Sequence, residues 1–575
     1  MKDLESDKPQ TEGTEAPVAA PGHGLTSSLS SVGVLLQQVV RIFAVLLIGF
    51  LTLYFCDSST RLFVKHALAY DSLFFGGVEL GIGFLLSLCS LILLLRYFSG
   101  IWSVLAVMVA FTCMLIAESA FRITGVPLNN FQINLAMAAH GDKWNVWHEF
   151  HEMILKAAWE IAWMLLVGVV CLKLIRWRPS RNLVSAFGVF TLLVLGMGRP
   201  DFDGQVFVPS PIGLPLVTAK TMSDQLFRVR GPVTLPLQQP APLKHFFYIV
   251  DETVRADHIS VNNREIGVTP WLADFSSVTS LGAAVSVANC SVQTQYLLRT
   301  GVVPEEIPDI ERSTLSKPNI FAFAKKAGRK PYFIDAQSKG FTNYMSEHDL
   351  VDTSVEMGLF GEINDCTESG ECLLVRRLRE LGSSAEKNFA YVVKAAAHWP
   401  YELRYPASQQ KFKPVVVDGV RDPVRVANSY RNALRWNVDL FFKELLGDGT
   451  IKDYLIIYTG DHGEDLSPGP QRSPHCGHHD KVRPIEGVVP ILLFTDRPEL
   501  KSVFAQVAKL RHDRTSQYDI FPSWLIFFGY ERQAVYNAYG PSIFDAKIRP
   551  ARFYWGDIFH DYGGFQTVAV LTSQK

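Results

Sequence analysis

The sequence lacks a dense run of basic residues, and its formal net charge at pH 7 is only −1. Nucleic-acid binding depends on lysine and arginine that neutralise phosphates, so a nucleic-acid partner is not indicated. The amino terminus also lacks the basic start and early apolar core of a cleaved signal peptide, so we expect the first apolar run to remain as an anchor. Long apolar runs become scarce after residue 200. Since 575 residues exceed one compact core, at least two domains are expected.

Two regions of different character make up the first 200 residues. Residues 1–30 are rich in Pro, Gly, Ser, Thr and charge, which predicts a disordered tail. Residues 31–200 predict an α-helical transmembrane bundle of about five spans. The predicted spans are Leu36–Cys56, Leu73–Leu95, Ile101–Ile116, Leu155–Ile175 and Leu183–Met197. Basic residues crowd the link between the last two spans, which places that link in the cytoplasm and everything after residue 200 outside it.

The second half of the chain has the texture of an α/β domain. Residues 201–240 are rich in Pro and Gly and predict a linker. From residue 241 to residue 575, short β-type apolar runs alternate with helical stretches, which predicts a mostly parallel central sheet. The candidate strands are His245–Val250, Tyr332–Asp335, Phe389–Val393, Tyr454–Tyr458 and Val488–Phe494. The candidate helices are Ile320–Ala327, Leu373–Leu381 and Ser429–Leu446.

Metal-binding side chains follow three of these candidate strands. Glu252 follows the first strand, Asp461 and His462 follow the fourth, and His398 lies just beyond the third. In open α/β sheets, ligands bind beyond the carboxyl ends of the strands. Carboxylate oxygens and imidazole nitrogens together suit zinc. An isolated Asp-His-Gly triplet is more often a turn with a capping Asp, but its coincidence with the other two strand ends predicts a metal site.

The motifs around these residues resemble those of bacterial phosphoethanolamine transferases, which are lipid A modifying enzymes of the alkaline phosphatase and sulfatase superfamily. The segment from Glu252 to His258, Glu-Thr-Val-Arg-Ala-Asp-His, resembles the opening motif of that family. The later segments that resemble family motifs, in the same order, are Cys290–Tyr296 (Cys-x-x-x-Thr), Ser338-Lys339-Gly340, His398-Trp399-Pro400 and Asp461-His462-Gly463-Glu464. The resemblance covers most of residues 245–525, and the five predicted spans agree with it.

The resemblance implies a zinc-dependent reaction. It implies that one Zn²⁺ is held by Glu252, Thr294, Asp461 and His462, and it allows a second ion. Thr294 would be the catalytic nucleophile, because a bound dication lowers the pKa of a hydroxyl. The expected reaction moves phosphoethanolamine from phosphatidylethanolamine, through a phosphothreonine, to an envelope lipid or glycan acceptor such as lipid A. The family implies a multi-pass protein of the bacterial inner membrane whose catalytic domain lies in the periplasm.

Substrate-binding residues are implied in the same way. Lys339, His398 and Glu464 would bind the phosphate oxygens and the ammonium group of the substrate. A histidine from His475-Cys476-Gly477-His478-His479 would join them: family spacing favours His475, whereas the Gly-His order favours His478. Cys366 and Cys372 match a short disulfide loop of the family.

Departures from the family pattern leave alternatives open. Gln293 precedes Thr294 in place of a small residue, which makes Ser291 a rival nucleophile. Asp251 stands where the family usually has Gly, and it adds negative charge beside the predicted metal. Cys290 lacks its usual partner about ten residues later, so a bridge from Cys290 to Cys476 is a further hypothesis.

Other functions remain open on the same scaffold. Phosphoglycerol transfer or hydrolysis of a phosphate or sulfate ester would use the same residues. A sulfatase in the strict sense is disfavoured, because residues 290–294 lack the Pro and Arg of the motif in which those enzymes mature a Cys or Ser. A non-enzymatic alternative is a metal-free, lipid-binding regulatory membrane protein, which would be expected to have lost the metal ligands.

Overall fold

The structure is a computed structural model that describes residues 24–69, 76–124, 133, 143–174, 179–197, 209–224, 229–239, 242–337, 344–359, 371–417, 422–467, 473–560 and 562–569. Residues 1–23 of the predicted disordered tail lie outside these ranges. The first helix begins at Gly24, within the predicted tail.

The amino-terminal part of the chain is helical, as predicted. The helices described there are α1 (Gly24–Cys56), α2 (Ser58–Ala69), α3 (Gly76–Tyr97), α4 (Ile101–Thr124), α5 (Lys143–Leu174), α6 (Arg181–Met197) and α7 (Ser210–Asp224). Within the described ranges, three stretches are long and apolar enough to cross a membrane: Leu36–Cys56, Ile101–Thr124 and Phe150–Leu174. The second and fifth predicted spans coincide with α3 and α6, which do not meet that length and hydropathy over their described residues. A membrane-embedded helical region is therefore supported, while the number of five spans stays a prediction.

Four charged side chains of this helical region form a chain of ion pairs. Glu118 on α4 accepts hydrogen bonds from Arg61 Nη2 at 2.5 Å and from Arg122 Nε at 3.0 Å. Arg122 also reaches Glu160 on α5, at 2.5 Å. These ion pairs link α2, α4 and α5. Pairing also lowers the free-energy cost of placing charge among apolar helices.

Part of the predicted linker is helical and packs on the membrane region. Ser210 begins α7, and its backbone N–H donates to Asp57 Oδ2 at 3.4 Å. The same oxygen accepts the backbone N–H of Thr60 at 3.0 Å, so Asp57 caps the first turns of both α2 and α7. Leu214 and Val217 of α7 pack against Ala117 of α4. These contacts anchor the start of the linker.

The carboxy-terminal part is an α/β domain around an eight-stranded sheet. Its strands are β1 (His245–Asp251), β2 (Val278–Val285), β3 (Lys330–Asp335), β4 (Ser354–Met357), β5 (Asn388–Lys394), β6 (Tyr454–Gly460), β7 (Val488–Thr495) and β8 (Thr515–Ser516), in the spatial order β4-β3-β5-β1-β6-β7-β2-β8. The five neighbouring strands β4, β3, β5, β1 and β6 run parallel, whereas β7 is antiparallel to both β6 and β2. The predicted, mostly parallel sheet is confirmed.

Helices cover both faces of the sheet, and the side chains of β1 are buried on both faces. The helices are α8 (Pro270–Asp274), α9 (Ser291–Thr300), α10 (Ile320–Lys326), α11 (Cys372–Gly382), α12 (Pro423–Leu434), α13 (Leu440–Leu446), α14 (Pro498–Arg511), α15 (Ile520–Phe528) and α16 (Arg532–Tyr539). Alternate β1 side chains enter two different cores: Phe246 and Tyr248 face one, while Phe247 and Ile249 face the other. Because both faces are buried, the strand reads as a continuous apolar run.

A hairpin completes the domain. Strands β9 (Arg552–Asp557) and β10 (Tyr562–Thr567) pair antiparallel near the end of the chain. Tyr554 of β9 donates its backbone N–H to Val287 O at 3.0 Å, and Asn289 donates back to Tyr554 O at 3.2 Å. The hairpin thereby supports the segment that leads into α9.

Candidate metal centre and active site

The sheet register brings the predicted ligands to one edge. Asp251 at the end of β1 lies opposite Lys394 of β5 on one side and Gly460 of β6 on the other. Glu252 and Asp461, the next residues along β1 and β6, therefore lie side by side. The register therefore brings the carboxyl ends of β5, β1 and β6 together at one edge of the sheet.

Three buried side chains form a group that could hold a metal ion. One ligand atom each from Glu252, His462 and His475 lies within 4.8 Å of the others. His462 Nδ1 lies 2.9 Å from the carbonyl of Gly463, which can only accept a hydrogen bond, so the proton is on Nδ1 and Nε2 carries the lone pair. His462 Nε2 is 3.5 Å from Glu252 Oε1. A carboxylate with two imidazoles is a donor set that suits zinc.

Asp461 supplies a fourth donor. Its Oδ1 accepts the backbone N–H groups of Thr253 at 2.9 Å and of His462 at 2.7 Å. Its Oδ2 is buried, accepts no hydrogen bond from the residues that the structure describes, and lies 3.6 Å from His462 Nε2. A buried carboxylate oxygen needs a partner, and a cation at this position would be one, so the residues present fit a metal ion.

The electrostatics of the site favour a cation. Burial, followed by the charge of Asp461, raises the pKa of Glu252 well above its usual value. Burial also lowers the pKa of His462, and it lowers the pKa of His475 to about 4, so both imidazoles are neutral near pH 7. Neutral imidazole is the form that binds metals, and a dication would offset the repulsion between the two carboxylates.

The hydroxyl group that contacts these ligands belongs to Ser291. Its Oγ lies 3.1 Å from His462 Nε2 and 3.2 Å from Glu252 Oε1. The Thr294 hydroxyl donates instead to the carbonyl of Ala288, at 3.3 Å. The helix α9 begins at Ser291, so Thr294 lies one turn further along it. Geometry therefore favours the rival nucleophile over Thr294, which was the expected catalytic and metal-binding hydroxyl.

His475 is the histidine of the downstream cluster that joins the site. Its Nδ1 is 2.8 Å from Glu464 Oε2, and its ring centroid is 4.5 Å from that of His462. His478 is also buried, but its ring lies 6.2 Å from that of Trp555 on the hairpin. Family spacing, rather than the Gly-His order, therefore identified the histidine beside Glu252 and His462.

Other predicted substrate-binding residues surround this histidine. The ring of His398 is 6.2 Å from the ring of His475. Glu464 is fully buried, and this burial raises its pKa to about 7. Its Oε1 accepts a hydrogen bond from Tyr401, a contact that sequence reasoning missed. Lys339 lies outside the described residues, so its role stays a prediction.

Gln337 is a second site residue that the sequence did not reveal. It follows β3, and its Nε2 donates to Glu252 Oε2 at 3.0 Å. In the sequence, Gln337 directly precedes Ser338, Lys339 and Gly340.

The negative charge of Asp251 is neutralised by the buried ammonium group of Lys394. Its Oδ2 lies 2.9 Å from the ammonium group of Lys394, which is fully buried and also pairs with Glu371. Asp251 Oδ1 accepts the backbone N–H of Ala396 at 3.1 Å, and Glu371 Oε1 accepts that of Ala395 at 3.0 Å. The cluster therefore fixes the loop that leads from β5 to His398.

A disulfide bond joins the segment of Ser291 to the segment of His475. Cys290 and Cys476 are bonded, as hypothesised, although 186 residues separate them in the sequence. Cys372 is also disulfide-bonded, but its predicted partner Cys366 lies outside the described residues, so that pairing stays a prediction.

The loop that carries His398 also contacts the amino-terminal helical region. Trp399, next to His398, packs edge-on against Phe150 of α5 with 5.4 Å between ring centroids. Phe150 is the first residue of the apolar stretch Phe150–Leu174.

Comparisons with known proteins agree with this architecture. The family model for sulfatases matches residues 244–530. The Kdo(2)-lipid A phosphoethanolamine 7''-transferase of Escherichia coli (strain K12) is 26% identical over 366 residues, which cover 60% of this chain and 63% of that protein. The phosphatidylethanolamine transferase Mcr-1 of Escherichia coli is 23% identical over 264 residues, which cover 43% of this chain and 48% of that protein. The chain thus matches less than two thirds of the length of either relative.

A solved membrane-protein structure shows the same fold. It is the integral membrane protein lipooligosaccharide phosphoethanolamine transferase A from Neisseria meningitidis, with a TM-score of 0.58 and 15% identity, covering 85% of this chain and 97% of that one. The resemblance to phosphoethanolamine transferases is therefore confirmed, and residues 244–530 of this chain form a sulfatase-family domain.

Proposed function

We propose that this chain transfers phosphoethanolamine from phosphatidylethanolamine to an envelope lipid or glycan, such as lipid A, through a covalent phosphoserine at Ser291. The observation that carries the proposal is the position of Ser291 Oγ, within 3.2 Å of both His462 Nε2 and Glu252 Oε1. The identity of the transferred group, phosphoethanolamine, is inferred from the names of the relatives. The catalytic domain would act in the periplasm of a bacterial inner-membrane protein.

The donor set suits Zn²⁺. Glu252, Asp461 and His462 would hold the ion, with His475 completing the group or serving a second ion. A bound dication would lower the pKa of the neighbouring hydroxyl and offset negative charge on the phosphoryl oxygens. A metal-free regulatory protein would not need a buried carboxylate oxygen such as Asp461 Oδ2, which accepts no hydrogen bond within the described part of the chain.

In the first step, Ser291 Oγ attacks the phosphorus of the donor. A bond forms between Oγ and phosphorus while the bond from phosphorus to the glycerol oxygen breaks. The serine proton is released, and the diacylglycerol oxygen takes up a proton, so the step is balanced. Ser291 is the first residue of α9, where backbone N–H groups without helical partners favour a negatively charged phosphoryl group.

In the second step, an acceptor oxygen attacks the phosphorus of the phosphoethanolamine group that is esterified to Ser291. The bond from phosphorus to Oγ breaks, and Ser291 regains a proton while the acceptor loses one. Glu464 holds His475 through Nδ1, which leaves the other ring nitrogen for the substrate or a metal ion. Lys339, His398 and Glu464 would bind the phosphate oxygens and the ammonium group, which distinguishes ethanolamine from the glycerol of a phosphoglycerol transferase.

The test is to trap the covalent intermediate. Purified full-length protein with Zn²⁺ would be incubated with phosphatidylethanolamine carrying a labelled headgroup, quenched and mapped by peptide mass spectrometry. We expect label on Ser291. Ser291→Ala should lower phosphoenzyme formation at least about a thousandfold, because no nucleophile remains.

Thr294→Ala is the matched control, since it removes a hydroxyl from the same helix. We expect it to keep most of the activity. Label on Thr294 would return the nucleophile to the residue implied by the family motif. Labelling from phosphatidylglycerol but not from phosphatidylethanolamine would instead identify a phosphoglycerol transferase.

A further inference from the structure

Each of the two bonded cysteines is adjacent to a residue of the site. Cys290 directly precedes Ser291, and Cys476 directly follows His475. Both half-cystines are buried, with 1% and 7% of their surface exposed. The bond therefore joins, through one peptide unit on each side, the start of α9 to the loop that carries His475.

Hydrogen bonds around Asn289 reinforce the same junction. Its carbonyl accepts the backbone N–H of Cys476 at 2.9 Å, and its Nδ2 donates to Gly477 O at 2.9 Å. Nδ2 also donates to Glu486 Oε2 at 2.7 Å, an oxygen that accepts the N–H of Gly477 at 2.9 Å as well. A Cβ on Gly477 would lie 2.7 Å from Glu486 Oε1, so the loop fits closely against this carboxylate.

The two residues fixed in this way contact one centre from two different segments of the chain. Ser291 reaches Glu252 and His462 from α9, while His475 reaches His462 and Glu464 from the loop. Alignment of reacting groups is strict: a displacement of about 1 Å can lower a rate about a hundredfold. A covalent link between the start of α9 and the loop of His475 limits such displacement.

We propose that the Cys290–Cys476 disulfide is a positioning element of the reaction, which holds the Ser291 hydroxyl and the His475 imidazole in register. This inference rests on the proposed function, because it takes Ser291 as the nucleophile. Loss of the bond should slow phosphoenzyme formation about 10- to 100-fold, with little change in donor KM or zinc content.

The experiment compares four forms of the full-length protein in phosphatidylethanolamine nanodiscs with Zn²⁺. They are the wild type, the double variant Cys290→Ala/Cys476→Ala, Ser291→Ala, and Cys372→Ser, which removes a different bonded cysteine. Rapid-quench measurements give the rate of phosphoenzyme formation and the donor KM. Zinc content and circular dichroism are recorded on the same samples.

A second arm keeps the test decisive if the double variant does not fold. Cys372→Ser protein is reduced with a phosphine and assayed, then reoxidised and assayed again. A rate that falls on reduction and recovers on reoxidation, at constant zinc content, supports the positioning role.

Three results would overturn the inference. One is a rate within twofold of wild type without the bond, and another is an equal loss of rate in Cys372→Ser. A third is a rate that falls only in proportion to zinc content, which would make the bond a support of the fold. Undiminished phosphoenzyme in Ser291→Ala would instead refute the proposed nucleophile itself, and with it this inference.

Discussion

Replacing the buried lysine behind the metal centre should destabilise the domain strongly. Lys394 is fully buried, and its Nζ lies 2.9 Å from Asp251 Oδ2 and 2.8 Å from the carbonyl of Asn437. It also pairs with Glu371 and lies 4.2 Å from the centre of the Phe441 ring. In Lys394→Met, the apolar stem keeps its contacts while the ammonium group is lost.

The magnitude follows from the charges that remain. Two buried carboxylates share one ammonium group, so its removal takes the same cation from both. Breaking a buried ion pair by removing one partner costs about 3–5 kcal/mol. That is a large part of the roughly 5–15 kcal/mol that stabilises a typical domain.

Two comparisons isolate the cause. Glu371→Gln leaves Lys394 with one carboxylate, so it should cost clearly less than Lys394→Met. Lys330→Met removes an exposed cation 3.2 Å from Glu386, and it should cost less than about 1 kcal/mol.

Chemical denaturation of the purified full-length variants, followed by near-ultraviolet circular dichroism, gives these free energies. Adding Glu371→Gln to Lys394→Met should recover about 1–3 kcal/mol, because one unpaired carboxylate is then removed. If Lys394→Met costs no more than Lys330→Met, the buried cluster does not carry the charges described above.

Three further predictions concern the same edge of the sheet. Asp461→Asn should lower zinc affinity as well as rate, measured by metal titration, because a charged ligand is lost; unchanged affinity would exclude Asp461 as a ligand. Gly463→Ala should cost about 1–3 kcal/mol or more in a denaturation assay, since its Cβ would lie 2.1 Å from the carbonyl of Ile485; a cost below that range would show that the loop can yield. Burial raises the pKa of Glu486 from 4.5 to about 7, so its contribution to stability is full below pH 4.5 and is lost as the pH rises to about 7; Glu486→Gln should flatten this part of the pH profile, and an unchanged slope would refute the assignment.

The central strands could be predicted from the sequence because both of their faces are buried. A strand such as β1 then reads as an uninterrupted apolar run. The strand β2 (Val278–Val285) was missed, since it mixes Thr, Ser and Gly with small apolar residues and is only partly buried. Part of the predicted linker proved to be the helix α7, whose sequence contains Pro215 and therefore did not read as helical.

The grouping of Glu252, Asp461 and His462 at one edge was predictable because each follows a buried strand, but the position of the hydroxyl was not. Ser291 and Thr294 are three residues apart, so on a helix they differ by about 4.5 Å along the axis. Which of them reaches the ligands depends on where α9 begins, and the motif alone did not fix that residue. Gln337 and Tyr401 escaped notice because their contacts with Glu252 and Glu464 join distant parts of the chain.

From the contact between Phe150 and Trp399 we predict that the proposed reaction depends on bilayer thickness. Phe150 is continuous with a helix that must match the hydrocarbon layer, and such helices tilt when the layer is thinner or thicker. Tilting would shift the ring on which the loop of His398 rests. Turnover should therefore vary with acyl-chain length in nanodiscs of constant headgroup composition, and Phe150→Ala should weaken that dependence.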